Sequence, residues 1–184
     1  DDTGPLTEPA ETDEDGFWKV PEAVDIQTAD LQVTSTGGVD TATGKDLGNL
    51  VLISDVPANA AGSINVNAIT TILSVAETPE QKAEVLASLG IDATPEELTG
   101  TDIWESATDG NAEAQAAQRV NAQLNLIILT AQTIISSATG DQFDAQASVL
   151  AVAKAVVDAV SESDEIDLAS SHVVAEVITD AVDT

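Results

Sequence analysis

Carboxylates are the groups in this chain most able to do chemistry, and spacing singles out four places. These are Asp13 with Asp15, Asp40 with Asp46, Asp102 with Asp109, and Glu162 with Asp164 and Asp167. Hard oxygens gathered in loops suit calcium, which takes roughly six to eight of them, and Thr41 and Thr43 add hydroxyls at the second place. None of the four completes an EF-hand loop, since Asp13-Glu14-Asp15-Gly16 brings its glycine too early for that pattern. The competing reading at each place is a solvated acidic turn or a helix cap.

Covalent catalysis has less to work with. The sole histidine, His172, stands beside Ser170 and Ser171, but adjacent residues on a helix do not face one another, so a serine–histidine pair would need a second element. Gly-x-Ser-x-Gly, HExxH, P-loop and GxGxxG patterns are absent. Cysteine is absent too, which removes a disulfide framework, a thiolate nucleophile and the usual zinc cluster. Carboxylates are so numerous that no single pair stands out as an acid/base dyad. The expectation is a protein that is not an enzyme.

Charge narrows the partners. Against 33 Asp and Glu stand five basic residues, Lys19, Lys45, Lys82, Arg119 and Lys154, for a formal net charge of -28. Such a surface repels phosphate, so nucleic acid and anionic membrane are poor partners. Self-repulsion also works against the compact state unless salt or divalent cations screen it, and calcium is the one cofactor the composition favours. Gln115, not a carboxylate, stands one turn before Arg119, so any ion pair there must reach another element. The most apolar run, Leu124 to Ile135, is interrupted by Asn125, Thr130, Gln132 and Thr133 and falls short of the roughly 20 residues that cross a bilayer. With no methionine at all, the chain is expected to begin after processing or to be a fragment.

The elements that must carry these residues follow from periodicity. Apolar residues make up 43 % of the chain but aromatics only 2 %, which suits closely packed aliphatic helices. Residues 1–16 read as an acidic linker or tail, residues 17–62 as a small β/loop region, and residues 63–184 as a helical bundle. In the β region, turn into strand is expected at Phe17–Val20, short strands between Val24 and Val33, loops over Thr34–Gly48, and a buried strand at Leu50–Ile53. In the bundle, Ser63 or Asn65 caps a first helix running to about Ala76. Thr78-Pro79-Glu80-Gln81 and Thr94-Pro95-Glu96-Glu97 are capping boxes with proline at the first helical position, and Gly90 stops the former helix. Asp102–Asn111 reads as a loop with Trp104 wedged into the core. A long helix covers about Ala112–Ala138. Asp141 caps the next, with Phe143, Ala147, Leu150, Ala153, Val157 and Val160 on one face. The last helix follows the acidic break Ser161–Asp167 and carries Leu168, Val173, Val174, Val177, Ile178 and Val182. Asn121, Asn125 and Gln132 are expected on the exposed face. The fold class is mainly α, an up-and-down bundle with a small N-terminal β/loop region.

Thr12-Asp13-Glu14-Asp15-Gly16-Phe17 resembles the closing hairpin of an immunoglobulin-like or carboxypeptidase-regulatory-like repeat. Gly37-Gly38-Val39-Asp40-Thr41-Ala42-Thr43-Gly44, Ile64-Asn65-Val66-Asn67-Ala68-Ile69-Thr70-Thr71-Ile72-Leu73 and Leu89-Gly90-Ile91 resemble helical modules of large secreted bacterial surface proteins and adhesins. Ala68-Ile69 stands here where those modules have Pro-Leu. The resemblance implies a calcium-associated, extracellular structural or adhesive module with no catalytic residues, its partners being neighbouring domains, copies of itself or a surface ligand. Two other readings stand beside it: a filament or fibre subunit joined by addition of the strand-prone segment Phe17–Val33, and a small-molecule carrier or partner-binding bundle.

Overall fold

The computed structural model describes residues 8–13, 16–19, 31–40, 44–56, 64–100, 102–140, 143–162 and 166–183. The chain is mainly α, 59 % helical with seven helices among the described residues, and carries a small antiparallel β region before them. Strands β1 (Leu31–Thr36) and β4 (Val51–Val56) pair antiparallel, with Thr34 opposite Ile53. Between them β2 (Val39–Asp40) and β3 (Lys45–Asp46) form a two-residue ladder. The expected loop over Thr34–Gly48 is thus largely strand, because Gly37, Gly38 and Gly44 adopt positive φ and let the chain turn sharply between ladders. A side chain at Gly37 would be strained, since φ is +67° and a Cβ there would lie a tight 3.0 Å from the Gly48 carbonyl oxygen.

The helices are α1 (Ala68–Leu73), α2 (Pro79–Ser88), α3 (Pro95–Gly100), α4 (Ile103–Thr108), α5 (Ala112–Thr139), α6 (Ala145–Glu162) and α7 (Ser171–Asp183). Both expected capping boxes form. Thr78 Oγ1 accepts from Gln81 N–H at 3.1 Å, and Glu97 Oε2 accepts from Thr94 N–H at 2.8 Å. Hydrogen bonds from the Thr94 backbone and hydroxyl hold the exposed Glu97 carboxyl below its ordinary value. Gly90, at φ +70°, ends α2 as expected.

Other boundaries differ. The first helix is capped by Asn67, whose side chain accepts from Thr70 N–H at 3.0 Å, and it ends at Leu73. Asn65 instead gives its own N–H to the Thr99 carbonyl at 2.8 Å, closing the end of α3, while Ser63 lies outside the described residues. Residues 103–108 are helix, not loop, because Asp102 Oδ1 accepts from Glu105 N–H at 3.0 Å and nucleates the turn. Ile103 is the buried residue there, and the Trp104 side chain lies outside the description. Asp144, not Asp141, caps α6, accepting from Ala147 N–H at 3.0 Å; Asp141 is outside the described residues. Ala147 is exposed, Leu168 sits in the turn before α7, and Ala181 takes the buried place expected of Val182.

The core is aliphatic. Ile53, Ile69, Ile72, Val85, Leu86, Leu124, Ile128, Val149, Val152, Val156 and Val177 are large apolar side chains sealed from solvent, each contributing about 1.5–3 kcal/mol by burial. Helices α5, α6 and α7 pack on one another, and α1 lies against β4, α5 and α6. That contact has a polar seam. Ile53 is fully buried, and its N–H and C=O point away from β1, where a third strand would have met them. Two consecutive threonines of α1 take that role. Thr71 Oγ1 accepts the Ile53 N–H at 2.8 Å, and Thr70 Oγ1 donates to the Ile53 carbonyl at 2.9 Å. Thr71 gives its own proton to the Asn67 carbonyl at 2.7 Å.

An isosteric Thr71→Val substitution keeps the packing and strands the Ile53 N–H in a dry site. It should lower unfolding free energy by about 1–3 kcal/mol in urea titration, whereas Thr130→Val on the exposed face of α5 should change it by less than about 0.5 kcal/mol.

Candidate functional site

Among the described residues the carboxylates chosen by spacing do not come together. Asp13 Oδ1 accepts from Phe17 N–H at 2.9 Å, Asp46 Oδ1 from Gly48 N–H at 2.7 Å, and Asp167 Oδ1 from Ala169 N–H at 2.9 Å. With the Asp102 cap, four of the nine are therefore engaged with their own local backbone. Asp102 and Asp109 flank the two ends of α4, one helix length apart. Asp40 stands opposite Lys45 in the β2–β3 ladder, a cation and not a second ligand; its side chain, like that of Glu162, lies outside the description. Asp15 and Asp164 lie outside the described residues. Among the described residues no group of three or more His, Asp or Glu is arranged to hold a metal ion.

His172 is exposed in the first turn of α7. Two hollows accompany the helices. An open groove of about 350 Å³ between α4 and α5 is lined by Ala107, Thr108, Gln115, Gln118 and Arg119. A space of about 30 Å³ lies under the Lys82–Asp55 ion pair, beside Ser54, Thr70 and Thr99. Among the described residues no helix is long and apolar enough to cross a membrane.

Asn121 and Gln132, expected on the exposed face, turn inward and join elements. Asn121 Oδ1 accepts the N–H of Ala68, the first residue of α1, at 3.0 Å. Buried Gln132 donates from Nε2 to the Asn49 and Ala145 carbonyls, both at 3.3 Å, tying α5 to the hairpin and to the start of α6. Asn125, between them, is half-buried and its Oδ1 is shielded from solvent. A periodic stripe assigns such residues to water, because the backbone groups that Asn121 and Gln132 meet belong to distant elements and leave no mark in the local sequence.

The hairpin has two unlike edges. In an antiparallel ladder, successive residues turn their N–H and C=O alternately toward the partner strand and away from it. Since Ile53 turns outward to the threonines, its partner Thr34 turns outward on the other side, as do Gln32 and Thr36. The β4 edge is closed at Ile53 by α1. Beyond β1 no described element lies, and its outward backbone groups form an open edge among the described residues. The strand is held from behind, for Gln32 Nε2 donates to Asp55 Oδ1 at 3.2 Å and Lys82 Nζ to Asp55 Oδ2 at 2.8 Å. Leu31–Val33, expected to be part of a strand donated to a neighbour, is committed to β4. Residues 20–30 of that segment lie outside the described residues.

Fold and edge together define a class: a mainly helical module with a hairpin pinned to its side and one strand facing outward. Comparison with known protein families, with curated proteins and with solved structures finds no match in any of the three.

Among the described residues no three acidic or histidine side chains share a centre for a metal ion, so the expected action of cations is screening of charge. Calcium and magnesium at the same concentration, about 10 mM, should therefore raise the melting temperature equally. A calorimetric gain peculiar to calcium would point to a chelating loop.

Proposed function

We propose that this chain is a non-enzymatic structural or adhesive module of a bacterial surface protein, exposed outside the cell and stabilised by the cations around it. One observation carries the reading: Thr70, Thr71, Asn121 and Gln132, polar side chains that reach inward, are each spent on joining one element to another. A catalytic or carrier site needs buried polar groups left over to face a ligand. Among the described residues only Asn125 Oδ1 and Ser148 Oγ are buried without a partner, and neither lines either of the two hollows. The surplus of negative charge keeps such a module soluble and apart from anionic surfaces, and the -28 net charge suits a milieu of abundant salt. The likeness of the Gly37–Gly44 and Ile64–Leu73 segments to modules of secreted surface proteins points the same way.

Antibodies raised against the purified module should label intact cells that produce it naturally, without permeabilisation. Labelling that requires permeabilised cells would remove the surface assignment.

A further inference from the structure

We propose that β1 is a self-docking edge: two copies of the module pair their β1 strands antiparallel about Thr34, making one four-stranded sheet in the order β4-β1-β1-β4. The inference goes beyond the surface reading and does not depend on it.

Three features of the hairpin lead there. First, the edge is hydrogen-bond competent, because Gln32, Thr34 and Thr36 present outward N–H and C=O groups. These groups are symmetric about Thr34. A second β1 laid antiparallel sets Thr34 opposite Thr34 and Gln32 opposite Thr36, three exchanging pairs and about six hydrogen bonds. Any other symmetric register engages fewer.

Second, the edge lacks the usual guards. Natural edge strands are protected by charge, proline or a bulge, yet Leu31–Thr36 reads Leu-Gln-Val-Thr-Ser-Thr, with neither charge nor proline in a chain of net charge -28. Two such molecules repel over most of their surfaces. Along this strand no carboxylate meets another, and the hydroxyl-bearing residues across it are good cross-strand neighbours. A second copy is therefore the occupant that fits: its strand is complementary to this one by symmetry, and no other partner is needed to supply the pairing.

Third, among the described residues α1 packs against β4 and blocks its outer side at Ile53, which leaves β1 as the open edge. At Ile53 the outer side of β4 is already satisfied by Thr70 and Thr71. Pairing through a single edge closes as a twofold dimer and cannot propagate, whereas a filament needs two complementary surfaces. One strand pair covers less than the about 1,200 Å² of a standard stable interface, so the dimer is concentration-dependent. Repulsion between the two acidic bodies makes it salt-dependent as well.

Sedimentation velocity at about 100 µM protein should show monomer in about 20 mM NaCl and a growing dimer fraction toward about 0.5 M, where the Debye length is only a few ångströms. Thr34→Lys and Thr34→Glu should each weaken the dimer by about tenfold or more, since either charge meets itself across the axis, while Thr179→Lys on the exposed face of α7 should not. Circular dichroism and melting temperature check that the variants fold. The absence of cysteine allows a register test: Thr34→Cys should form a covalent dimer under mild oxidation, and Thr36→Cys, placed opposite Gln32, should not. Monomer at every salt concentration would overturn the proposal. So would opposite effects of Lys and Glu, growth beyond dimer, or cross-linking as ready at position 36 as at 34.

Discussion

Every part of this structure depends on how the backbone of Ile53 is satisfied. A fully buried residue in a strand with a neighbour on one side only would leave a donor and an acceptor unpaired in a dry environment, and each such orphan is costly. Helix α1 resolves this with two consecutive hydroxyls, one accepting and one donating. Because the same helix is capped by Asn67, covered by Asn121 from α5 and carries the buried Ile69, Ile72 and Leu73, strand and bundle become one body. The hairpin by itself would be marginal in water; fixed to α1 it has a hydrophobic floor and a bonded edge.

This arrangement also accounts for a core that, among the described residues, is aliphatic. Aliphatic side chains on several helices fill the interior, and besides the Thr70–Thr71 pair several inward polar groups are placed where an element begins or ends. Asn121 meets the first N–H of α1, Asn65 the last turn of α3, and Gln132 the start of α6. Helix termini are where backbone groups lack internal partners, so polar residues there are bonded instead of stranded. Carboxylates behave likewise on the outside, where Asp13, Asp46, Asp102 and Asp167 each take a local backbone N–H. Charge remains at the surface and cohesion stays within.

Much of this was legible in sequence wherever the determinant is local. The boxes at Thr78 and Thr94, the stop at Gly90 and the long helix after Asn111 depend on residues within a turn of one another, and they fold as the pattern requires. Determinants that couple distant segments were not legible. Several Ser and Asn residues crowd the start of α1, and only the position of β4 and α5 decides that Asn67 is the cap. Helix α4 has six residues, too few for a periodic stripe, and owes its existence to the Asp102 cap and the burial of Ile103. Adjacency in sequence does not by itself give carboxylate oxygens a common centre, and among the described residues Asp13, Asp46, Asp102 and Asp167 each turn to a local backbone N–H. The open edge of β1 was hidden for a related reason, because which backbone groups face outward depends on the register with β4 and on the threonines beyond it.

The central claim, that the Thr70–Thr71 pair locks β4 to the bundle, is tested most directly by native-state hydrogen exchange at single amides. The Ile53 N–H should exchange only through global unfolding, as slowly as the slowest amides of α5 and α6, while the outward N–H of Thr34 exchanges at low salt within the fast class. An Ile53 amide that exchanges as readily as Thr34 would mean that the strand opens independently of the helices, and the account would fail.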